Sequence, residues 1–133
     1  MTLKEKQDEL VELFEAMGDW ETCFQYLYDL SQRAESFLYP KNFMTSEYQI
    51  AGCQSRTYLY LQVENDTVHI KGWSNAAIPG GLVAILEDLF EGCSLQDLRG
   101  TEIDFHQRTG LIDQLTLQRK EVLLNMIDRL KQL

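Results

Sequence analysis

Residues 57–71 read TYLYLQVENDTVHIK, and the fold follows from their period. Thr57, Leu59, Leu61 and Val63 alternate with Tyr58, Tyr60, Gln62 and Glu64, which predicts a strand with one apolar face. Asn65-Asp66 is a candidate for a short turn. Val68 and Ile70 then alternate with His69 and Lys71, which returns the chain as an antiparallel partner. Two strands alone are marginal in water, so a third is expected at Tyr48 to Ala51.

On both sides of this hairpin the period changes to that of helices. Thr2 with Glu5 forms a capping box, and Leu3, Leu10, Phe14 and Met17 follow at helical spacing up to a stop at Gly18. Asp19 caps a second helix with Trp20, Phe24, Leu27 and Leu30 on one face. Glu35 to Ser46 is irregular. Beyond the hairpin, Ile78, Leu82, Ile85, Leu86 and Leu89 mark a helix that ends at Gly92. Pro79 belongs in its first turn, which puts the start near Ser74 or Asn75. Ser94 with Asp97 opens a short helix, and Thr116 caps a last one with Val122, Leu123, Met126, Ile127 and Leu130 inward. The expected fold class is α+β, a small central antiparallel sheet of about three strands packed by N-terminal, middle and C-terminal helices.

The chain is 133 residues long, and residues 1–133 are expected to form a single domain. Its 44% hydrophobic and 25% charged residues are ordinary globular values, which argues against disorder. No apolar run approaches the roughly 20 residues of a membrane span, and the first residues carry no signal-peptide core. A soluble, cytoplasmic protein without membrane contact is expected. The net charge of -9 repels phosphate backbones, so nucleic acid is not an expected partner.

Chemistry concentrates on cysteine. Cys23, Cys53 and Cys93 are odd in number, widely spaced and without a C-x-x-C pair, which argues against a disulfide framework. With only His69 and His106 beside them, no tight metal-ligand set can be read, so the expected metal content is none. Cys23 sits on or beside a buried helix face and Cys93 in a helix–helix turn, where free cysteine acts as a small hydrophobe. Cys53 differs in its setting, Ala51-Gly52-Cys53-Gln54-Ser55-Arg56. Gly52 permits a tight bend, and Arg56 is a nearby cation that favours thiolate, the nucleophilic form. Local features leave Cys53 open between a nucleophile and an ordinary turn residue.

Gly52-Cys53-Gln54-Ser55-Arg56 resembles the Gly-Cys-x-Ser loop of the SufE family, the sulfur-acceptor partners of cysteine desulfurases. The order of other segments agrees. Trp20-Glu21 with Phe24, Leu27 and Leu30 resembles the family's Trp-Glu helix. Gly72-Trp73-Ser74-Asn75-Ala76-Ala77-Ile78 with Gly81-Leu82 resembles its Gly-x-Ser-Asp-Ala-x-Ile segment, with Asn75 in place of Asp. Leu115-Thr116 with Arg119 resembles the start of its last helix, with Leu117 in place of Pro.

The resemblance implies a SufE/IscU-like fold and a sulfur carrier. Cys53 would take persulfide sulfur from a desulfurase, stimulate that enzyme and pass sulfur to an iron–sulfur scaffold protein. No cofactor is expected on this chain; pyridoxal phosphate belongs to the desulfurase. Gly52, Gln54, Ser55, Arg56, Ser74, Asn75 and Arg119 are the expected sulfur-loop and partner-binding residues, and the chain is not itself expected to be an enzyme. Two rival readings exist. One is a cysteine-dependent hydrolase with His69 or His106 as base. The other is a plain binding module in which Cys53 is incidental.

Overall fold

The computed structural model describes residues 1–52 and 56–133. Among these, seven α-helices surround one hairpin: α1 (Leu3–Met17), α2 (Trp20–Ser31), β1 (Thr57–Glu64), β2 (Thr67–Ser74), α3 (Ala77–Phe90), α4 (Leu95–Gly100), α5 (Phe105–Arg108), α6 (Leu111–Gln114) and α7 (Leu117–Lys131). Local chemistry sets most boundaries. Thr2 and Glu5 satisfy each other's amides in a full capping box, and Gly18 ends α1 at a φ of 80°. The side chains of Asp19, Ser94 and Thr116 cap α2, α4 and α7. β1 and β2 pair antiparallel in the register Thr57↔Ser74 through Glu64↔Thr67. Their turn places Asn65 at φ 52° and Asp66 at φ 63°, the double positive φ of a type I′ turn.

α3 is the central helix. It is apolar nearly all round, and Leu82, Ala84, Leu86 and Phe90 are fully shielded. β2 lies on one side of it and α2 crosses another, while Val122, Leu123, Met126, Ile127 and Leu130 of α7 join the same core. The α2 crossing is close because position 81 is glycine. A Cβ there would stand 2.3 Å from the Leu27 carbonyl oxygen.

Two expectations are corrected. The third strand at Tyr48 to Ala51 contracts to one bridge, Gln49↔Tyr58, supported by Ile50 N–H donating to the Thr57 carbonyl and Leu59 N–H to that of Tyr48, both at 2.8 Å. The outer side of this segment is taken by side chains of α7, which ends the sheet there. Second, α3 starts at Ala77, not at Ser74 or Asn75, and its N-cap Ala76 has no side-chain oxygen to cap the helix. Ser74 and Asn75 are occupied elsewhere, as described below. The irregular stretch folds over the outer face of the hairpin, stacking Tyr39 on Tyr58 and Phe43 on Tyr60, the latter with centroids 4.3 Å apart and rings 6° from parallel. Tyr58 is therefore buried like Leu59, whereas Val63, near the turn, is exposed.

The free edge of β2 is closed by the end of α3 and the turn after it. Val68 N–H donates to the Cys93 carbonyl at 2.8 Å, and Ile70 N–H donates to Glu91 Oε1 at 3.0 Å. Such capping removes a template for strand addition.

Candidate functional site

The two chain segments that flank residues 53–55 are both held, by different means. On the upstream side the segment 47–52 runs antiparallel to α7. The carbonyls of Glu47, at a turn, of Gln49, at the bridge, and of Ala51 face α7. Arg129 donates from Nη1 to the Glu47 carbonyl at 3.3 Å and from Nη2 to the Gln49 carbonyl at 2.8 Å. Asn125 Nδ2 donates to the Ala51 carbonyl at 2.9 Å. One step further, Gly52 rests on Glu121. A Cβ at position 52 would be 2.9 Å from Glu121 Cβ, and the φ of 111° is itself open only to glycine at low cost. Glu121, Asn125 and Arg129 are spaced by four and so form one stripe of α7.

On the downstream side the hold comes from the end of β2. Arg56 N–H donates to Asn75 Oδ1 at 2.9 Å, and Asn75 N–H donates to the Arg56 carbonyl at 3.1 Å. Thr57 and Ser74 join hydroxyls at 3.0 Å, and Ser74 Oγ also accepts from the Ala76 amide. The Arg56 guanidinium lies 5.7 Å from the centre of the Trp73 ring, a cation–π contact. The N-terminus of α3 follows two residues after Asn75 and brings the positive end of a 14-residue helix to this corner.

Of the expected site residues, Gly52, Arg56, Ser74 and Asn75 stand at these two anchor points. Cys53, Gln54 and Ser55 lie outside the described residues. Arg119 sits in the first turn of α7, half-buried, with its amide donating to Thr116 Oγ1 at 3.4 Å. Its guanidinium makes no ion pair among the described residues.

Cys23 and Cys93 are both buried free thiols. Burial raises the pKa of each above the usual cysteine value, with nearby carboxylates adding to the shift, which keeps them protonated and poorly nucleophilic. The histidines are placed otherwise than a base for Cys53 would need. His69 pairs with Glu91 at 2.9 Å and lies opposite Gln62 in the turn half of the hairpin, roughly 16 Å along β2 from Ser74. His106 is buried in α5, where desolvation pushes its pKa below the ordinary imidazole value. Among the described residues no cluster of His, Cys, Asp and Glu could hold a metal ion.

Sequence reading missed Glu121, Asn125 and Arg129 as parts of this corner. The four-residue spacing on α7 was visible, but a polar stripe opposite an apolar one is the ordinary sign of a solvated helix face.

Among the described residues, seven helices around one antiparallel hairpin, packed on a central helix, define an α+β protein. Residues 8–133 match the SufE family, described as the Fe-S metabolism associated domain. The chain belongs to the SufE family, and so to sulfur transfer in iron–sulfur metabolism. It is 30% identical over 129 residues to an uncharacterised SufE-like protein of Rhizobium meliloti, covering 93% of this chain and 91% of that one. It is 30% identical over 117 residues to the cysteine desulfuration protein SufE of Wigglesworthia glossinidia brevipalpis, covering 86% and 79%. The solution structure of a hypothetical protein from Thermus thermophilus superposes with a TM-score of 0.72 at 21% identity, covering 96% of this chain and 91% of that one, and so shares the fold. No helix among the described residues is long and apolar enough to cross a membrane.

Proposed function

We propose that this chain accepts persulfide sulfur from a cysteine desulfurase onto Cys53 and delivers it to an iron–sulfur scaffold protein. The observation that carries the reading is the pair of anchors on either side of residues 53–55. Asn125 holds the Ala51 carbonyl before it and Asn75 holds the Arg56 backbone after it. Cys23 and Cys93, by contrast, are buried as protonated thiols.

The chemistry is thiol exchange. The Cys53 thiolate attacks the terminal sulfur of the desulfurase persulfide, forming a new S–S bond. The old S–S bond breaks, and its electron pair leaves on the desulfurase thiolate. Cys53 then carries the persulfide, with no net oxidant or reductant consumed. Arg56 and the N-terminus of α3 both favour negative charge on Cys53 before and after transfer. Pyridoxal phosphate, which liberates the sulfur from free cysteine, belongs to the desulfurase. This chain contributes the acceptor and stimulates its partner by clearing the persulfide; it catalyses no reaction of its own. A cytoplasmic setting keeps the thiol reduced. Gln54, Ser55, Arg56 and Arg119 face the partner in this reading, and Arg56 and Arg119 offer forked donors to its carboxylates.

Incubation with a desulfurase and cysteine, followed by peptide mass mapping, tests the reading. Cys53 should gain the mass of one sulfur atom, Cys53→Ser should gain none, and Cys23→Ser and Cys93→Ser should behave as the parent. A persulfide that persists on the Cys53→Ser chain would sink it.

A further inference from the structure

Residues Glu121, Asn125 and Arg129 do more than solubilise α7. Successive residues of an i, i+4, i+8 stripe stand about 6 Å apart along the helix, so together they can reach several carbonyls of a segment that runs alongside. Arg129 takes the carbonyls of Glu47 and Gln49, Asn125 takes that of Ala51, and Glu121 backs Gly52. The stripe stands where a further strand would stand, but its bonds come from side chains and end at the residue before Gly52. Position 52 lacks the room for a side chain, which lets the backbone lie against Glu121.

We propose that Asn125 and Arg129 are positioning residues for sulfur acceptance, fixing the main chain that leads up to Cys53 and hence how readily its thiolate meets a persulfide. This rests on the reading of Cys53 as the acceptor. Neither residue touches sulfur; each acts through the backbone at 47–51. In-line exchange is sensitive to placement, so a loosened lead-in segment lowers the rate at saturation more than it weakens docking.

The test uses the full chain with Asn125→Asp, which keeps the shape but loses the donor, with Arg129→Ala, and with Arg129→Lys as the conservative partner. Single-turnover sulfur transfer from a persulfide-loaded desulfurase gives one readout. Iodoacetamide labelling mapped to each cysteine gives a second that needs no partner. Asn125→Asp and Arg129→Ala should lower the saturating transfer rate about tenfold with the half-saturating concentration unchanged. Both should label Cys53 faster than the parent while Cys23 and Cys93 stay protected, and Arg129→Lys should retain most of the transfer rate. Transfer at the parental rate overturns the proposal. So does parallel labelling of Cys23 and Cys93, which would mark general loosening instead of a change at Cys53. If the parent chain takes up no sulfur at all, the functional reading fails, and the labelling of Cys53 alone then decides the positioning role: an unchanged rate overturns it.

Discussion

The two ends of the β1–β2 hairpin are built by different rules. At the turn end, short-range backbone terms dominate: a type I′ turn at Asn65-Asp66 and main-chain bonds of Val68 to Cys93 and Gly92. At the open end, side chains hold the backbone: Asn75 on Arg56, Asn125 on Ala51 and Arg129 on Gln49 and Glu47, while the Ser74 and Thr57 hydroxyls join each other. Backbone bonds tolerate side-chain change, because every residue type supplies the same amide and carbonyl, and the Glu91 carboxylate on the Ile70 amide is the exception at the turn end. A side-chain-locked end can be tuned one residue at a time.

The largest expected effect probes the boundary between the two ends. Glu87 of α3 is nearly buried, with Arg33 Nη2 at 4.0 Å and no hydrogen-bond partner for Oε1 among the described residues. Burial pushes its pKa up to about 7, although Lys71, Arg33 and the Gly72 amide pull it down. The folded state therefore holds a proton that the unfolded chain releases near pH 4.5, and this contribution to stability is lost as pH rises from 4.5 to about 7. Glu87→Gln should remove that slope and melt higher than the parent at pH 8, by up to about 3 kcal/mol. Thermal melts from pH 5 to 8 check this; parallel curves for the two chains would show that Glu87 does not titrate in the window.

Next comes Glu91→Ala at the turn end. It strips the acceptor from the Ile70 amide and should cost about 1–2 kcal/mol by urea denaturation. Sulfur transfer should be unaffected, and a transfer defect would break the separation of the two ends. Asn75→Ala at the open end should cost only about 1 kcal/mol, because one amide loses a partner near solvent. Here the transfer rate should fall even where the chain is fully folded. Equal transfer would show that Asn75 is structural only. The smallest effect is Asp66→Gly. Glycine suits the positive φ of the second turn position, so stability should rise by about 0.5–1 kcal/mol with transfer unchanged.

Much of this molecule is local and so legible in its sequence. The capping box at Thr2 and Glu5, the stop at Gly18, the Asn65-Asp66 turn and the inward set of α7 each depend on residues within a few positions of one another, where the physics is short-ranged. Gly52-Cys53-Gln54-Ser55 and its order relative to Trp73-Ser74-Asn75 pointed to the family for a related reason, since a motif constrains neighbours in the chain. The third strand at Tyr48 to Ala51 and the helix start at Ser74 were misjudged because the polar groups there found partners far away. Arg129 is 80 residues from Gln49, Asn125 is 74 from Ala51, and Asn75 is 19 from Arg56. Period and propensity carry no information on such pairs. Whether a polar stripe faces water or a row of carbonyls depends on how α7 is docked on α3, and only the packed core decides that.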